Sequence, residues 1–407
     1  MEYIIFEDQA YENFLPFTYT RFTGDMRLGI LKLRQKIGLI LNFTPNKIVI
    51  REELEDLYKE RHPDWMINSF KSGDYLFINS RIKLTDEIAS EIENLKPSES
   101  LVAQKIILAF RIKIDDNTQI TTETLESAYI NLPQIESKGS SPLWQYTWDF
   151  VHHNGEAIKE DFDLVFYEED NFMEIDPGAT AINPYQIWIG EGAKLKQGVI
   201  LDATDGPIII DEYATIMHNA VIIGPVYIGK KSIIKVSAKI YPNTSIGPNC
   251  KIGGEVEDTI IQAYTNKQHD GFLGHSYLGE WINIGADTNN SDLKNTYKSV
   301  KVYFYPEKRK INTNTLFIGT LIGDHSKIGI NCSINTGTVI GFGVNIYGSH
   351  LINDFIESFS WGEANNLEKY QYEKFIETAT IVKHRRKEYL STHELFRIKQ
   401  IYKKINE

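Results

Sequence analysis

Cysteine is nearly absent from this 407-residue chain, which contains only Cys250 and Cys332. Two thiols are too few for a disulfide framework or for a zinc site made of four thiolates. Positive charge is also in deficit, because 43 lysines and arginines stand against 55 acidic residues, for a net charge of −12. Such a chain is a poor candidate for coating the phosphate backbone of a nucleic acid. It also lacks an apolar run near the roughly 20 residues of a membrane span, and it lacks the basic start of a secretion signal. We therefore expect a cytoplasmic enzyme or assembly protein.

The sequence does contain an internal repeat with a period of six residues. An aliphatic residue recurs at Ile210, Ile216, Ile222, Ile228, Ile234, Ile240, Ile246 and Ile252. The residue four positions further on is small or β-branched each time: Ala214, Ala220, Val226, Ser232, Ala238, Thr244, Cys250 and Val256. Shorter runs of the same period start at Ile189, Phe272 and Leu316. This period fits neither a helix nor one alternating strand, and it is typical of a parallel β-helix in which three hexads form a coil.

The rest of the chain has a different pattern. Residues 1–155 alternate short apolar runs, among them Ile37–Leu41, with amphipathic stretches, which favours an α/β domain with a largely parallel sheet. Thr85, followed by two acidic residues, predicts the start of a helix. We expect a linker at 156–175, the β-helix at 176–362 and a helical tail at 363–407. The short basic run at 383–387 of that tail is either a solvated helix face or a contact for an anionic ligand such as coenzyme A.

Polar residues concentrate around two histidines in residues 266–294, where we expect the coil to be interrupted by a site. The motifs GHSYLG and INIGADT in this segment resemble the GHxxYLG…NIGAGT signature of bifunctional sugar-1-phosphate nucleotidyltransferase/acetyltransferases, a hexapeptide-repeat family. The resemblance implies a nucleotidyltransferase-like α/β domain, then a left-handed parallel β-helix with a C-terminal helix. It further implies acetylation of an amino-sugar phosphate such as glucosamine-1-phosphate by acetyl-CoA, coupled to nucleotidyl transfer from UTP or another nucleoside triphosphate to form UDP-N-acetylglucosamine. Members of this family resemble one another in forming homotrimers with active sites between neighbouring subunits.

The resemblance also implies roles for individual residues of the β-helix. His275 matches the catalytic general base, a role that suits a neutral imidazole. The matches to sugar- and phosphate-binding positions are Lys267, Tyr277, Asn283 and Lys294, and Ala286 matches the position beside acetyl-CoA. The sequence departs from the signature at Asp292 and Leu293, which stand where the best-known enzyme has an Asn-Tyr pair, and the acceptor sugar therefore stays open. His269 is the rival to His275, and a metal site of His269, Asp270 and His275 is a third interpretation without a recognised ligand spacing.

The glycine-rich phosphate loop that opens such nucleotidyltransferases is missing here. The equivalent stretch, residues 16–36, offers basic and acidic side chains that either bind the nucleotide or form an ion-pair network: Arg21, Asp25, Arg27 and Lys36. Asn79 follows an apolar strand, where a ligand site is expected in an open α/β sheet, although the family has a Mg²⁺-binding aspartate there. Asp149 and Asn154 are alternative oxygen ligands for Mg²⁺, and the metal ligands are left open.

Two other functions compete with the bifunctional enzyme. The chain could be an acetyltransferase only, acting on another amino sugar or sugar nucleotide. It could also be a non-catalytic protein whose β-helix serves for trimerisation and regulation of a sugar-nucleotide-binding domain. The polar segment 266–294 argues against the last hypothesis, because a purely structural coil has no need of it.

Overall fold

A computed structural model describes residues 1–139, 142–167, 169, 171–172 and 177–406. Part of the predicted linker, at residues 168, 170 and 173–175, lies outside the described residues. The chain divides into two units, of which the first comprises residues 1–26, 31–146 and 391–404, and the second comprises 27–30, 147–390 and 405–407. The sequence predicted a boundary at residue 155 and a separate tail from residue 363. The observed division instead assigns part of the C-terminus to the first unit.

The first unit contains a seven-stranded mixed sheet with helices. In spatial order the strands are Gln134–Glu136, Glu99–Ala103, Ile106–Ile114, Gly73–Asn79, Glu2–Phe6, Lys47–Val49 and Met66–Ile67. The last four of these run parallel to one another, whereas Ile106–Ile114 is antiparallel to both of its neighbours. A further antiparallel pair joins Ser69–Phe70 and Thr118–Gln119, and Leu31–Lys32 is a two-residue strand. The two-residue strand Arg27–Leu28 belongs to the second unit. The parallel part of the sheet agrees with the α/β domain predicted from the alternating pattern.

The described part of the chain contains seven α-helices. It also contains short 3₁₀ turns and one π-helical segment at Phe162–Phe166. The α-helices are α1 (Leu33–Ile40), α2 (Glu52–Arg61), α3 (Asp86–Glu93), α4 (Leu125–Tyr129), α5 (Thr147–Asp161), α6 (Tyr372–His384) and α7 (Thr392–Asn406). Thr85 caps α3 by accepting a hydrogen bond from the Ile88 amide, as predicted. The expectation of a strand at Ile37–Leu41 was wrong, because this run forms part of α1. Among these described helices, none is long and apolar enough to cross a membrane.

The second unit is a three-walled parallel β-helix, and each wall is one sheet. Wall A consists of Thr180–Ile182, Ile200–Asp202, Val221–Ile223, Lys239–Ile240, Glu255–Glu257 and Phe272–Gly274. Wall B consists of Ile187–Ile189, Ile208–Ile210, Val226–Ile228, Thr244–Ile246, Ile260–Ala263, Tyr277–Glu280, Thr320–Ile322, Thr338–Ile340 and Phe355–Ile356. Wall C consists of Lys194–Leu195, Thr215–Ile216, Ile233–Ile234, Lys251–Ile252, Asn266–Lys267, Asn283–Ile284, Lys327–Ile328, Asn345–Tyr347, Ser360–Glu363 and Asn366–Lys369. Beyond wall A, Asn289–Asn290 pairs with Ser333–Ile334.

The hexad produces this shape because its two recurrent positions both point inward. The aliphatic residues from Ile210 to Ile252 are no more than 1% exposed, and the small residues between them fill the interior next to the corners. Several corners require a left-handed backbone, for example at Asn243 and Asn249, and asparagine tolerates that conformation better than most residues. Together with the α/β unit and the C-terminal helices, these coils confirm the predicted fold class.

Two details of the predicted repeat differ in the structure. Leu273 points inward in place of Phe272, because it pairs with the inward Val256 of the coil before it, and Leu316 is exposed. The coil also continues through residues 266–290 with little interruption. The chain leaves the coil at 293–315, where the strands Lys301–Phe304 and Arg309–Asn312 form an antiparallel hairpin.

Candidate active site

One corner of the β-helix stacks a histidine and three carboxylates in a column. His275 follows the wall A strand Phe272–Gly274, and its φ of +45° turns the chain toward wall B. Glu257 and Asp258 occupy the same corner one coil earlier, where Glu257 pairs with Gly274. Asp292 occupies it one coil later, after the strand Asn289–Asn290. We call Glu257, Asp258, His275 and Asp292 the His275 column.

Hydrogen bonding fixes the imidazole within this column. His275 Nδ1 lies 2.8 Å from Asp292 Oδ2, whereas Nε2 lies 3.7 Å from Asp258 Oδ2. The ring of Phe317 stacks on the imidazole at 4.9 Å between centroids. Because the Asp292 carboxylate accepts a hydrogen bond, we assign the Nδ1–H tautomer, which leaves the Nε2 lone pair available as a base. Asp292 and Phe317 flank the 293–315 excursion, whose two ends therefore lie beside the imidazole.

The carboxylates also shift the proton affinity of the imidazole. Burial lowers the pKa of His275, but the hydrogen bond to Asp292 and the charges of Asp258 and Glu257 raise it more, so that the pKa lies above its ordinary value. Burial also raises the pKa of Glu257, and the nearby Asp292 raises it further. The column is therefore an environment that stabilises a positive charge at the imidazole.

Three members of the column are close enough to be considered as metal ligands. Ligand atoms of Glu257, His275 and Asp292 lie within 4.8 Å of one another. A cation bound by both His275 Nδ1 and Asp292 would have to replace the hydrogen bond between them. The predicted alternative set of His269, Asp270 and His275 is not among the groupings found in the described part of the chain.

The structure places two of the predicted sugar-binding residues inside the protein. Tyr277 is 1% exposed, and its hydroxyl donates to the Gln262 side chain and the Arg27 carbonyl, with all three residues in the second unit. Lys267 is also 1% exposed, and its Nζ donates to the carbonyls of Gly253, His269 and Gly271. Both polar groups are thus satisfied within the chain, so the structure does not support a contact with a sugar at either residue.

The other predicted residues of the β-helix lie nearer the surface. Asn283 is exposed on wall C, where its strand pairs with those of Asn266 and Lys327. Lys294, half-buried, donates from Nζ to the Ser299 carbonyl within the excursion. Ala286 is half-buried and His269 is exposed. The Gly285 and Asp287 amides on either side of Ala286 donate to the coil carbonyls of Ile328 and Asp270, which leaves neither free to stabilise an oxyanion.

The candidates in the first 36 residues are buried or half-buried. Asp25 accepts hydrogen bonds from Lys32, Arg34 and the Tyr58 hydroxyl, and these partners hold its pKa far below its ordinary value despite burial. Arg21 is buried and donates to the Phe17 carbonyl. Lys36 is half-buried on α1. For Asp25 this placement favours the ion-pair alternative over nucleotide binding.

Arg27 is separated from that group because residues 27–30 belong to the second unit. It is 6% exposed, donates to the Ile30 carbonyl and lies 5.3 Å from the centroid of the Tyr227 ring. Asn154, proposed as an oxygen ligand for Mg²⁺, is fully buried, and its side-chain oxygen accepts from the Gly29 amide. Both residues hold the 27–30 segment within this unit.

Asn79 ends a central strand of the first unit, as predicted. Its amide donates to the Asp8 carboxylate and to the Ile107 carbonyl, and Arg81 donates to both oxygens of the same carboxylate. A Mg²⁺ ion needs free oxygen ligands, but each Asp8 oxygen already accepts from Arg81. The residues at this sheet edge therefore do not fit a Mg²⁺ ion as they stand.

Sequence reasoning missed Asp258, Asp292, Phe317 and His152 as neighbours of His275. The two aspartates had a detectable signal, because they lie seventeen residues before and after the histidine, which is one coil in each direction. His152 is on α5, and its ring centroid lies 6.3 Å from that of His275. No spacing in the sequence indicates this approach, which depends on how α5 packs.

Comparison with known proteins agrees with this architecture. Residues 3–169 match the family model described as sugar nucleotidyl transferase. Over 356 residues the chain is 33% identical to the bifunctional protein GlmU of Methanococcus aeolicus, a match that covers 82% of this chain and 84% of the relative. The chain belongs to the GlmU family. The family predicted from the GHSYLG and INIGADT motifs is thereby confirmed.

Other matches to the family are more local. The bifunctional sugar-1-phosphate nucleotidylyltransferase/acetyltransferase of Sulfurisphaera tokodaii is 35% identical over 150 residues, which are 36% of this chain and 37% of that relative. Among solved structures, the UDP-N-acetylglucosamine acyltransferase from Campylobacter jejuni is 17% identical, with a TM-score of 0.29, and the match covers 56% of this chain and 83% of that one.

Proposed function

We propose that this GlmU-family chain acetylates an amino-sugar phosphate with acetyl-CoA and transfers a nucleotidyl group in its first unit, as the bifunctional relatives' names indicate. The observation that carries the acetyltransferase proposal is the 2.8 Å contact between His275 Nδ1 and Asp292, which leaves Nε2 as a base at a corner of the coil. Glucosamine-1-phosphate is the acceptor we propose, with UDP-N-acetylglucosamine as the final product in the cytoplasm.

The chemistry follows from the orientation of His275. The acceptor amine attacks the thioester carbonyl, the new C–N bond forms, and the C–S bond breaks with its electron pair on sulfur. Nε2 takes the proton that the nitrogen loses and returns it to the departing thiolate. Asp292 holds Nδ1–H and stabilises the imidazolium that exists between these two transfers.

Replacing the proposed base tests this function directly. We expect His275→Ala to reduce thiol release from acetyl-CoA in the presence of glucosamine-1-phosphate by about 10²–10⁴-fold, the range typical of a lost general base. His269→Ala is the matched control, because this exposed histidine lies outside the His275 column and should leave the rate unchanged. Equal rates for wild type and His275→Ala would remove the proposed acetyltransferase activity.

A basic cluster on another wall supports an acetyl-CoA site. Arg386 donates to Asn266 of wall C at 2.6 Å, and together with Lys235 and Arg385 it lowers the pKa of Lys251, which burial lowers first. Such a cluster suits the phosphates of coenzyme A. This cluster lies at wall C, whereas the His275 column lies at the corner between walls A and B. One subunit would therefore supply the base, and a neighbouring subunit would supply the cations. The proposed homotrimer meets this requirement, and sedimentation showing a stable monomer would contradict it.

The nucleotidyltransferase activity rests on the family match over residues 3–169. Release of pyrophosphate from UTP and N-acetylglucosamine-1-phosphate, measured with and without added Mg²⁺, tests it separately. Thiol release without pyrophosphate release would support the acetyltransferase-only alternative, and the loss of both would support a non-catalytic protein.

A further inference from the structure

Helix α5 places a second imidazole opposite His275. The helix packs along the second unit through Phe150, whose ring centroid lies 6.2 Å from that of Tyr277, and through the buried Asn154, which binds Ser245 and the Asn243 carbonyl. His152 lies between these two anchors, and its ring centroid is 6.3 Å from that of His275, at 51° between planes. Buried contacts on both sides of His152 therefore fix its backbone, whereas its side chain is exposed.

The separation of the two ring centroids is the distance at which one amine nitrogen can reach both imidazoles. An atom hydrogen-bonded to a ring nitrogen lies about 4 Å from the ring centroid. With centroids 6.3 Å apart, an atom hydrogen-bonded in line to one nitrogen of each ring would make an angle of about 105° between its two bonds. That value is close to the tetrahedral angle of an ammonium group, which donates its hydrogen bonds in such directions.

The surroundings of the two imidazoles separate their proton affinities. Partial burial lowers the pKa of His152, the charges of His275 and His153 lower it further, and Asp149 and Asp258 oppose this more weakly. His275 instead has a raised pKa, because Asp292, Asp258 and Glu257 face it. Two titratable groups with oppositely shifted pKa values are the arrangement expected when each handles a different proton.

The proposed reaction has two protons to remove. An amino-sugar acceptor arrives as an ammonium ion at neutral pH, and it must lose one proton to become a nucleophile and a second one when the amide forms. We propose that His152 accepts the first proton and releases it to solvent, while His275 takes the second and passes it to the thiolate. This inference rests on the proposed acetyltransferase function. The balance is one ammonium ion and one acetyl thioester giving an amide, a thiol and a proton in solution.

The pH dependence of kcat/KM for glucosamine-1-phosphate tests the role of His152. We expect His152→Gln to move the acidic limb of the profile up to the pKa of the acceptor amine, about 8 for a group like an α-amine. At pH 7 the kcat/KM of the variant should be about tenfold below that of the wild type. Above pH 9 the two kcat/KM values should agree within about threefold, because most of the acceptor is then free amine. Glu156→Gln on the same helix is the matched control, since its side chain is exposed and pairs with Lys159, and it should keep the wild-type profile.

Each outcome of this experiment decides a different point. A loss for His152→Gln that is equal at every pH indicates a structural role and overturns the inference, as does an unchanged profile. His152→Asn and a thermal unfolding scan of both variants separate misfolding from a kinetic effect. If wild type and His275→Ala release thiol equally, the proposed function itself fails, and the role of His152 fails with it.

Discussion

At the scale of single residues, the partner of an imidazole decides what the imidazole can do. His275 has one nitrogen bound to Asp292 and the other directed toward Asp258 at a longer distance. A lone histidine with the ordinary pKa would be neutral but free to rotate and to change tautomer. The Asp292 carboxylate, 2.8 Å from Nδ1, fixes both the orientation and the tautomer of the ring. It also raises the pKa of the imidazole.

The substitution Asp292→Asn separates these two effects of the carboxylate. Because Asp292 raises the pKa of His275, its loss should shift the acidic limb of the pH–rate profile to lower pH. The maximal rate should fall at least about tenfold, since the amide stabilises the imidazolium less well. Thiol-release rates between pH 5.5 and 9 measure both quantities. A limb that stays in place would show that Asp292 does not control the proton affinity of His275.

At the scale of elements, α5 is attached to its own unit by buried polar contacts. The Asn154 oxygen accepts from the Gly29 amide and the Ser245 hydroxyl, and its amide donates to the Asn243 carbonyl. A fully buried amide with all of these partners orients a helix more strictly than apolar packing alone, because each unmade bond leaves a buried polar group unsatisfied. The position of His152 depends on this attachment.

Removing that attachment should destabilise the second unit. We expect Asn154→Ala to lower the free energy of unfolding by about 1–3 kcal/mol, because the Gly29 amide and the Asn243 carbonyl lose a partner in a buried place. Urea denaturation followed by circular dichroism measures the change. Glu156→Ala on the same helix is the control, since its pair with Lys159 is exposed and contributes at most about 1 kcal/mol. Equal effects of the two substitutions would contradict the role of Asn154.

At the scale of the whole molecule, the end of the chain returns to the first unit. Residues 391–404, which contain most of α7, are assigned to that unit with the first 26 residues. Arg397 is buried, donates to the Tyr19 carbonyl at 2.8 Å and binds Glu53 at 2.7 Å. The first unit is thus incomplete until the last helix has been made, although the β-helix stands between them in the sequence.

The substitution Arg397→Met tests this dependence. We expect the first unit to lose about 1–3 kcal/mol of stability, because the Tyr19 carbonyl and Glu53 lose their partner. Limited proteolysis should then cut within residues 1–146 earlier than in the wild type. Lys399→Met, an exposed change on the same helix, should leave the proteolytic pattern unaltered. Unchanged resistance of Arg397→Met would show that α7 is dispensable for this unit.

The β-helix and the corner histidine could both be predicted from the amino-acid order. Two inward positions in every six residues can be buried only by coiling, so the run from Ile210 to Ile252 specifies its own geometry, and the family motif then marks His275. The groups that surround that histidine became apparent only from the folded chain. Lys267 and Tyr277 match family positions but are buried with satisfied polar groups, and His152 comes from a helix more than one hundred residues away in the sequence. A local repeat is encoded in neighbouring residues, whereas the approach of α5 depends on packing between distant segments.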